Sequence, residues 1–144
     1  PLFAAIASAS RSLLHGGDGE SFEPRDLATT AWAFARQRFQ DPPLLAAISS
    51  AAVTKIAKFS AQDLSQTAWA FATQRWRDMP LMASISGPSV TLISAFRPQE
   101  LANTAWAFAA LPSTAAGPLL NAMAAVAMEK QDQFRPQELA NLAW

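Results

Sequence analysis

Two sets of polar side chains recur along this chain at fixed spacing, and both have the chemistry of nucleic-acid contacts. Thr29, Gln66, Asn103 and Asn141 each stand two residues after a leucine, in four copies of one repeated stretch. Arg25, Gln62, Gln99 and Gln137 stand four residues earlier, one helical turn away. Amides and hydroxyls both donate and accept hydrogen bonds, as base edges require, and helical repeats can read one base each. These eight residues are candidate RNA readers. The same stripe also fits the wet side of a helix, and Ser49, Ser86 and Asn121, on a second helix, compete for the role. The second set is Arg36, Arg38, Arg75 and Arg77, candidates for phosphate contacts. A plainer role is available, because cations at a helix C-terminus gain about 0.3–1 kcal/mol from the dipole. The third copy carries Ala110, Leu111 and Pro112 there, which interrupts the basic rail.

Other chemistries find little to work with. His15 lies in a glycine-rich stretch beside Asp18 and Glu20, without a nucleophile or metal partners, and no phosphate-loop Gly-Lys-Ser/Thr follows it. Asp26, Asp63, Glu100 and Glu138 recur once per copy, which suits helix capping better than a unique acid/base pair. There is no cysteine and one histidine, so neither a thiolate site nor a zinc cluster is expected. No apolar run reaches the roughly 18 residues of a membrane span. Eleven basic residues balance eleven acidic ones, unlike a strongly basic nucleic-acid binder. The expectation is a protein that is not an enzyme and needs no cofactor, metal or membrane.

The elements that must position these residues follow from periodicity. Trp32, Trp69, Trp106 and Trp144 keep a beat of about 37 residues, and Phe22, Phe59, Phe96 and Phe134 keep it ten residues upstream. Such a period marks a helical array. Pro24, Pro98 and Pro136 suit the first position of a helix, and Ser60 suits an N-cap. The motif helix is therefore predicted over Pro24–Gln37, Ala61–Gln74, Pro98–Leu111 and from Pro136 onward. It is apolar nearly all round, so it is sandwiched between neighbours. Its expected core is Leu27, Trp32 and Phe34; Leu64, Trp69 and Phe71; Leu101, Trp106 and Phe108. Trp76, aligned with Phe39, sits in a connector as either a freer aromatic or a staple between copies.

A second helix precedes each motif helix, led by Pro1, Pro43, Pro80 and Pro118; Leu44, Ile48, Ala52 and Ile56 line one face of it. Gly87-Pro88 should kink or split its third copy. The loop around His15–Glu20 is longer than its counterparts, and connectors are expected at Asp41–Pro43, Asp78–Pro80 and Leu111–Gly117. No strand pattern appears. The fold class is all-α: a right-handed α-solenoid of about four stacked antiparallel helix pairs. Its units are 1–42, 43–79, 80–117 and a truncated 118–144, and the whole reads as a fragment of a longer protein. Its apolar end should favour self-association.

Leucine followed five residues later by tryptophan, as in Leu27 to Trp32, Leu64 to Trp69, Leu101 to Trp106 and Leu139 to Trp144, with Ala-Phe-Ala after the first three, resembles the octotricopeptide repeat. Pro98-Gln99-Glu100 and Pro136-Gln137-Glu138 look like that family too, and the unit length suits the similar heptatricopeptide form. The resemblance implies an RNA-binding α-solenoid of mitochondria or chloroplasts. Its partner would be single-stranded RNA, its role transcript stability, processing or translation, often beside a RAP domain. The alternative is a protein-interaction scaffold of the same shape. RNA binding requires the four arginines on the same surface as the Thr29–Asn141 stripe. Exchanging Gln66 and Asn103 should then redirect which sequences are enriched from a random RNA pool at several salt concentrations. Unchanged preference would remove both as readers.

Overall fold

The computed structural model describes residues 2–16, 22–111 and 116–143. Pro1, most of the glycine-rich loop with Asp18 and Glu20, the Pro112–Ala115 part of one connector, and Trp144 lie outside the described residues. Within them all regular structure is helical. The upstream helices are α1 (Leu2–His15), α3 (Pro42–Lys55), α5 (Met79–Thr91) and α7 (Ala116–Glu129). The motif helices are α2 (Pro24–Arg36), α4 (Ala61–Thr73), α6 (Pro98–Ala110) and α8 (Pro136–Ala143).

Each motif helix starts by the same local bond. The carboxylate at the third helical position accepts from the backbone N–H of the residue before the helix. Asp26 takes it from Glu23 (3.0 Å), Asp63 from Ser60 (3.0 Å), Glu100 from Arg97 (2.9 Å) and Glu138 from Arg135 (2.7 Å). An otherwise orphan donor is satisfied, and negative charge sits at the positive end of the dipole. Asp41 and Asp78, expected only as connectors, are N-caps: their carboxylates accept from Leu44 N–H (2.9 Å) and Leu81 N–H (3.0 Å). A short 3-10 turn over Ile56–Lys58, Ile93–Ala95 and Gln131–Gln133 links α3, α5 and α7 to the next motif helix, a feature the periodicity did not reveal.

Two rows of helices result. In one, α2 packs on α4, α4 on α6 and α6 on α8; in the other, α1 packs on α3, α3 on α5 and α5 on α7. The rows meet through α2 with α3, α4 with α5 and α6 with α7. Alanine makes the close stacking feasible: Ala28, Ala31, Ala68, Ala102 and Ala107 are fully buried. Leu27, Leu64, Leu101, Phe71 and Phe108 fill the space between rows, with Phe34 nearly as deep.

Polar bonds also cross between copies. Lys55 Nζ donates to the Phe22 carbonyl (2.6 Å), and Lys130 Nζ to the carbonyls of Ser94 (2.8 Å) and Phe96 (2.9 Å). Lys55 ends α3, Lys130 directly follows α7, and both reach back to the entry of the preceding motif helix. Leu92 occupies the matching position of α5 and packs partly buried against the core. Arg11 forms an ion pair with Asp41.

Several expectations need correction. The motif helices end one residue early, because Gln37, Gln74 and Leu111 are the C-caps. The upstream helices start at Pro42, Met79 and Ala116 rather than at Pro43, Pro80 and Pro118. Gly87-Pro88 does not split α5, which runs unbroken from Met79 to Thr91. Proline disfavours a helical predecessor by clashing with its Cβ, and Gly87 has none. Trp32, Trp69 and Trp106 are half-buried rather than enclosed. Trp69 and Trp106 lean on the core edge. The phenylalanine two residues later takes the enclosed place: Phe34, Phe71 and Phe108 are buried, and the Phe34 ring meets Phe3 of α1 edge-on at 5.6 Å.

Two measurements follow. In urea denaturation, Phe71→Ala should cost about 3–5 kcal/mol, the range for an enclosed aromatic, and Trp69→Ala clearly less; the opposite order would contradict this packing. Asp41 is the other case. Burial raises its pKa, but the bonds from Arg11 and Leu44 N–H outweigh that, and the net shift is below the ordinary 3.8. A depressed folded-state pKa gives stability that is present above the unfolded value and is lost as pH falls through the folded one. The stability gap between wild type and Asp41→Asn should therefore hold near neutrality and close as pH drops through 3.8 and below. A gap that persists in acid would contradict the assignment.

Candidate nucleic-acid interface

The face of each motif helix that stays half exposed is set by helical spacing. Positions four, seven and eleven residues beyond the first share one side of the cylinder. On α2 these are Arg25, Thr29, Trp32 and Arg36; on α4, Gln62, Gln66, Trp69 and Thr73. On α6 they are Gln99, Asn103, Trp106 and Ala110, and on α8 they begin with Gln137 and Asn141. None of these described residues is buried. The candidate readers and the tryptophans thus occupy the same face. Arg36 belongs to it as well, with its guanidinium carbon 5.1 Å from the centre of the Trp32 ring, within cation–π range.

Where α2, α4 and α6 end, this face opens into a groove of about 1090 Å³. Arg38, Arg75 and Arg77 line it, with Gln40, Thr73, Gln74, Trp106 and Asn141 among the others, and its lining holds no carboxylate among the described residues. The structure brings three of the four phosphate candidates together with one reader, Asn141. Thr29, Gln66, Asn103 and the four residues one turn earlier lie outside the groove, up the same helix faces.

The helix ends explain how the arginines are held. The N–H of Arg38 bonds to the Ala35 carbonyl (3.0 Å) and that of Phe39 to the Phe34 carbonyl (3.1 Å). Arg75 bonds likewise to Ala72 (2.9 Å) and Trp76 to Phe71 (3.0 Å). This is the Schellman pattern, in which the residue after the C-cap is left-handed and usually glycine. Arg38 and Arg75 take that place at φ of 53° and 55°. An L side chain there costs about 1–2 kcal/mol. Phe39 closes on Phe34 with ring centroids 5.8 Å apart, and Trp76 stands in the matching place as a staple, partly buried against the core.

Sequence reasoning missed Gln74. It is only 6% exposed and lines the groove, yet both its side-chain amide atoms are without a hydrogen-bond partner among the described residues. Its backbone carbonyl, in contrast, accepts from Gln40 Nε2 (3.1 Å). As the residue just past a helix it lay outside the repeated polar stripe, and only the depth of the groove singles it out. No group of residues suited to hold a metal ion occurs among the described residues, and no helix there is long and apolar enough to cross a membrane.

A family model described as RNA-editing substrate-binding complex 6 protein matches residues 19–144. No curated protein matches the chain. The family match overturns the assignment to the octotricopeptide and heptatricopeptide repeats. The physical reason is that a leucine and an indole five residues apart place one apolar group between the rows and another on the adjoining face. Stacked helices of separate lineages can share that arrangement, so the spacing does not identify the family.

Proposed function

On the premise that this chain belongs to the RNA-editing substrate-binding complex 6 protein family, we propose that it binds single-stranded RNA sequence-selectively along the exposed face of its motif helices. The observation that carries the reading is the groove. Three guanidiniums line it beside an indole and amides, with no opposing carboxylate among the described residues. Guanidiniums supply phosphate contacts, half-exposed indoles supply stacking surfaces, and amides supply base-edge bonds. The net charge of zero is no obstacle, because steering depends on local field and not on the total. In this reading the protein supports RNA processing, stability or translation in a mitochondrion or chloroplast without catalysing a step itself. The helix rows extend as a right-handed solenoid of about four antiparallel pairs, with units at 1–42, 43–79, 80–117 and 118–144; small-angle scattering that fits a closed globule would end that part.

Arg38 and Arg75 strengthen the case. Each occupies a backbone conformation that glycine would fill at lower cost, so an arginine there suits a task for the side chain. A second reading, a protein-binding scaffold, draws on Leu2, Ile6 and Leu13, which stand exposed on one face of α1.

The two readings separate on one substitution. Arg75→Gly should raise stability by up to about 1 kcal/mol, by relieving the left-handed backbone, while weakening RNA binding. Three phosphate contacts on a single strand give a salt slope of log K near −2, and each lost arginine should flatten it by about 0.7. RNA affinity that is indifferent to Arg38, Arg75 and Arg77 would favour the scaffold.

A further inference from the structure

The groove at the ends of α2, α4 and α6 contains a more specific feature than its charge. Gln74 is more than nine-tenths buried in the groove wall, and its carboxamide has neither its donor nor its acceptor engaged by the described residues. The Thr73 hydroxyl beside it is likewise buried and unpartnered. Buried amides without partners are rare, since each idle polar group costs about 1–3 kcal/mol. A ligand that completes them recovers that cost. The Trp106 indole, half exposed, lines the same groove, as do Arg75 and Arg77.

We propose that this groove is a nucleotide subsite: the Gln74 carboxamide, closed off in the groove wall of the free protein, turns outward to pair with the edge of one unstacked RNA base, the Trp106 indole offers that base a stacking face, and Arg77 meets a flanking phosphate. The inference rests on the RNA-binding reading above and adds where one base is recognised. The chemistry of the amide argues for a base and against a bare anion. A phosphate offers acceptors alone and would leave the carbonyl oxygen of Gln74 idle or repelled, whereas a base edge presents a donor beside an acceptor. Because the amide can turn over, Gln74 accepts more than one base. A carboxylate in its place would present two acceptors, and guanine alone offers two adjacent donors on its pairing edge, at N1 and N2.

The test uses the 144-residue chain. Its 15N-labelled form is titrated with AMP, CMP, GMP and UMP, and then with a short unstructured RNA whose affinity is measured separately by fluorescence anisotropy. The side-chain amide resonances of Gln74, assigned by their loss in Gln74→Glu, and the indole N–H resonance of Trp106, assigned by Trp106→Phe, should shift together. Gln74→Leu should lower RNA affinity at least about fivefold, as loss of a two-bond base contact does, and level the base preference. Gln74→Glu should turn that preference toward guanine. RNA that binds while the Gln74 resonances stay still, or binds Gln74→Leu undiminished, would overturn the subsite and leave the broader reading intact. Failure to bind any RNA would remove both. The wild-type resonances and the guanine shift of Gln74→Glu decide the matter even if Gln74→Leu does not fold.

Discussion

An inner motif helix of this chain, α4 or α6, must pack against a copy of itself on both sides. That constraint shapes nearly everything else. α4 lies between α2 and α6 while a third neighbour, α5, closes it from below. A helix so enclosed has little circumference left for water. The near-invariance of Leu27, Leu64 and Leu101, the fully buried alanines at Ala31 and Ala68, and the enclosed Phe71 and Phe108 all answer that geometry. Side chains larger than alanine at the stacking positions would force the row apart, at the cost that overpacking carries. The face left half open carries a position that is polar in every copy yet differs among them: Thr29, Gln66, Asn103 and Asn141.

The all-helical class, the starts of the motif helices and the position of the exposed stripe were legible in the residues. Proline or serine at the entry, a carboxylate at the third position and an apolar period of helical spacing are local signals, and local bonds enforce them. What the chain did not disclose depends on contacts distant in sequence. The indoles read as core because tryptophan is large and apolar, and only the placement of both rows shows that phenylalanine takes the enclosed position. The 3-10 turns escaped notice since their residues share no composition. At Gly87-Pro88 the expected split did not occur, since glycine has no Cβ for the proline ring to meet.

The candidate interface was half legible for a similar reason. The arginines stood out as a cluster of charge, and the polar stripe as a periodicity. Nothing in the letters showed that Arg38, Arg75 and Arg77 share a groove with Asn141, or that Gln74 closes off its wall. The family assignment went astray through the same economy. Leu-to-Trp spacing is a packing solution available to any lineage of stacked helices, so a motif built from core residues says little about ancestry, and the residues that differ between copies say more about the task.

The lysines that tie one copy to the next are not evenly distributed. Lys55 and Lys130 donate to carbonyls at the entries of α2 and α6, while Leu92 stands at the corresponding end of α5. The outer junctions are thus fastened by an ammonium group, and the middle one has a hydrocarbon in that place. These two kinds of joint answer to different variables. Ionic strength loosens charge-assisted fastenings, whereas cooling weakens apolar ones. The middle junction therefore holds, at this position, the contact that added salt should disturb least.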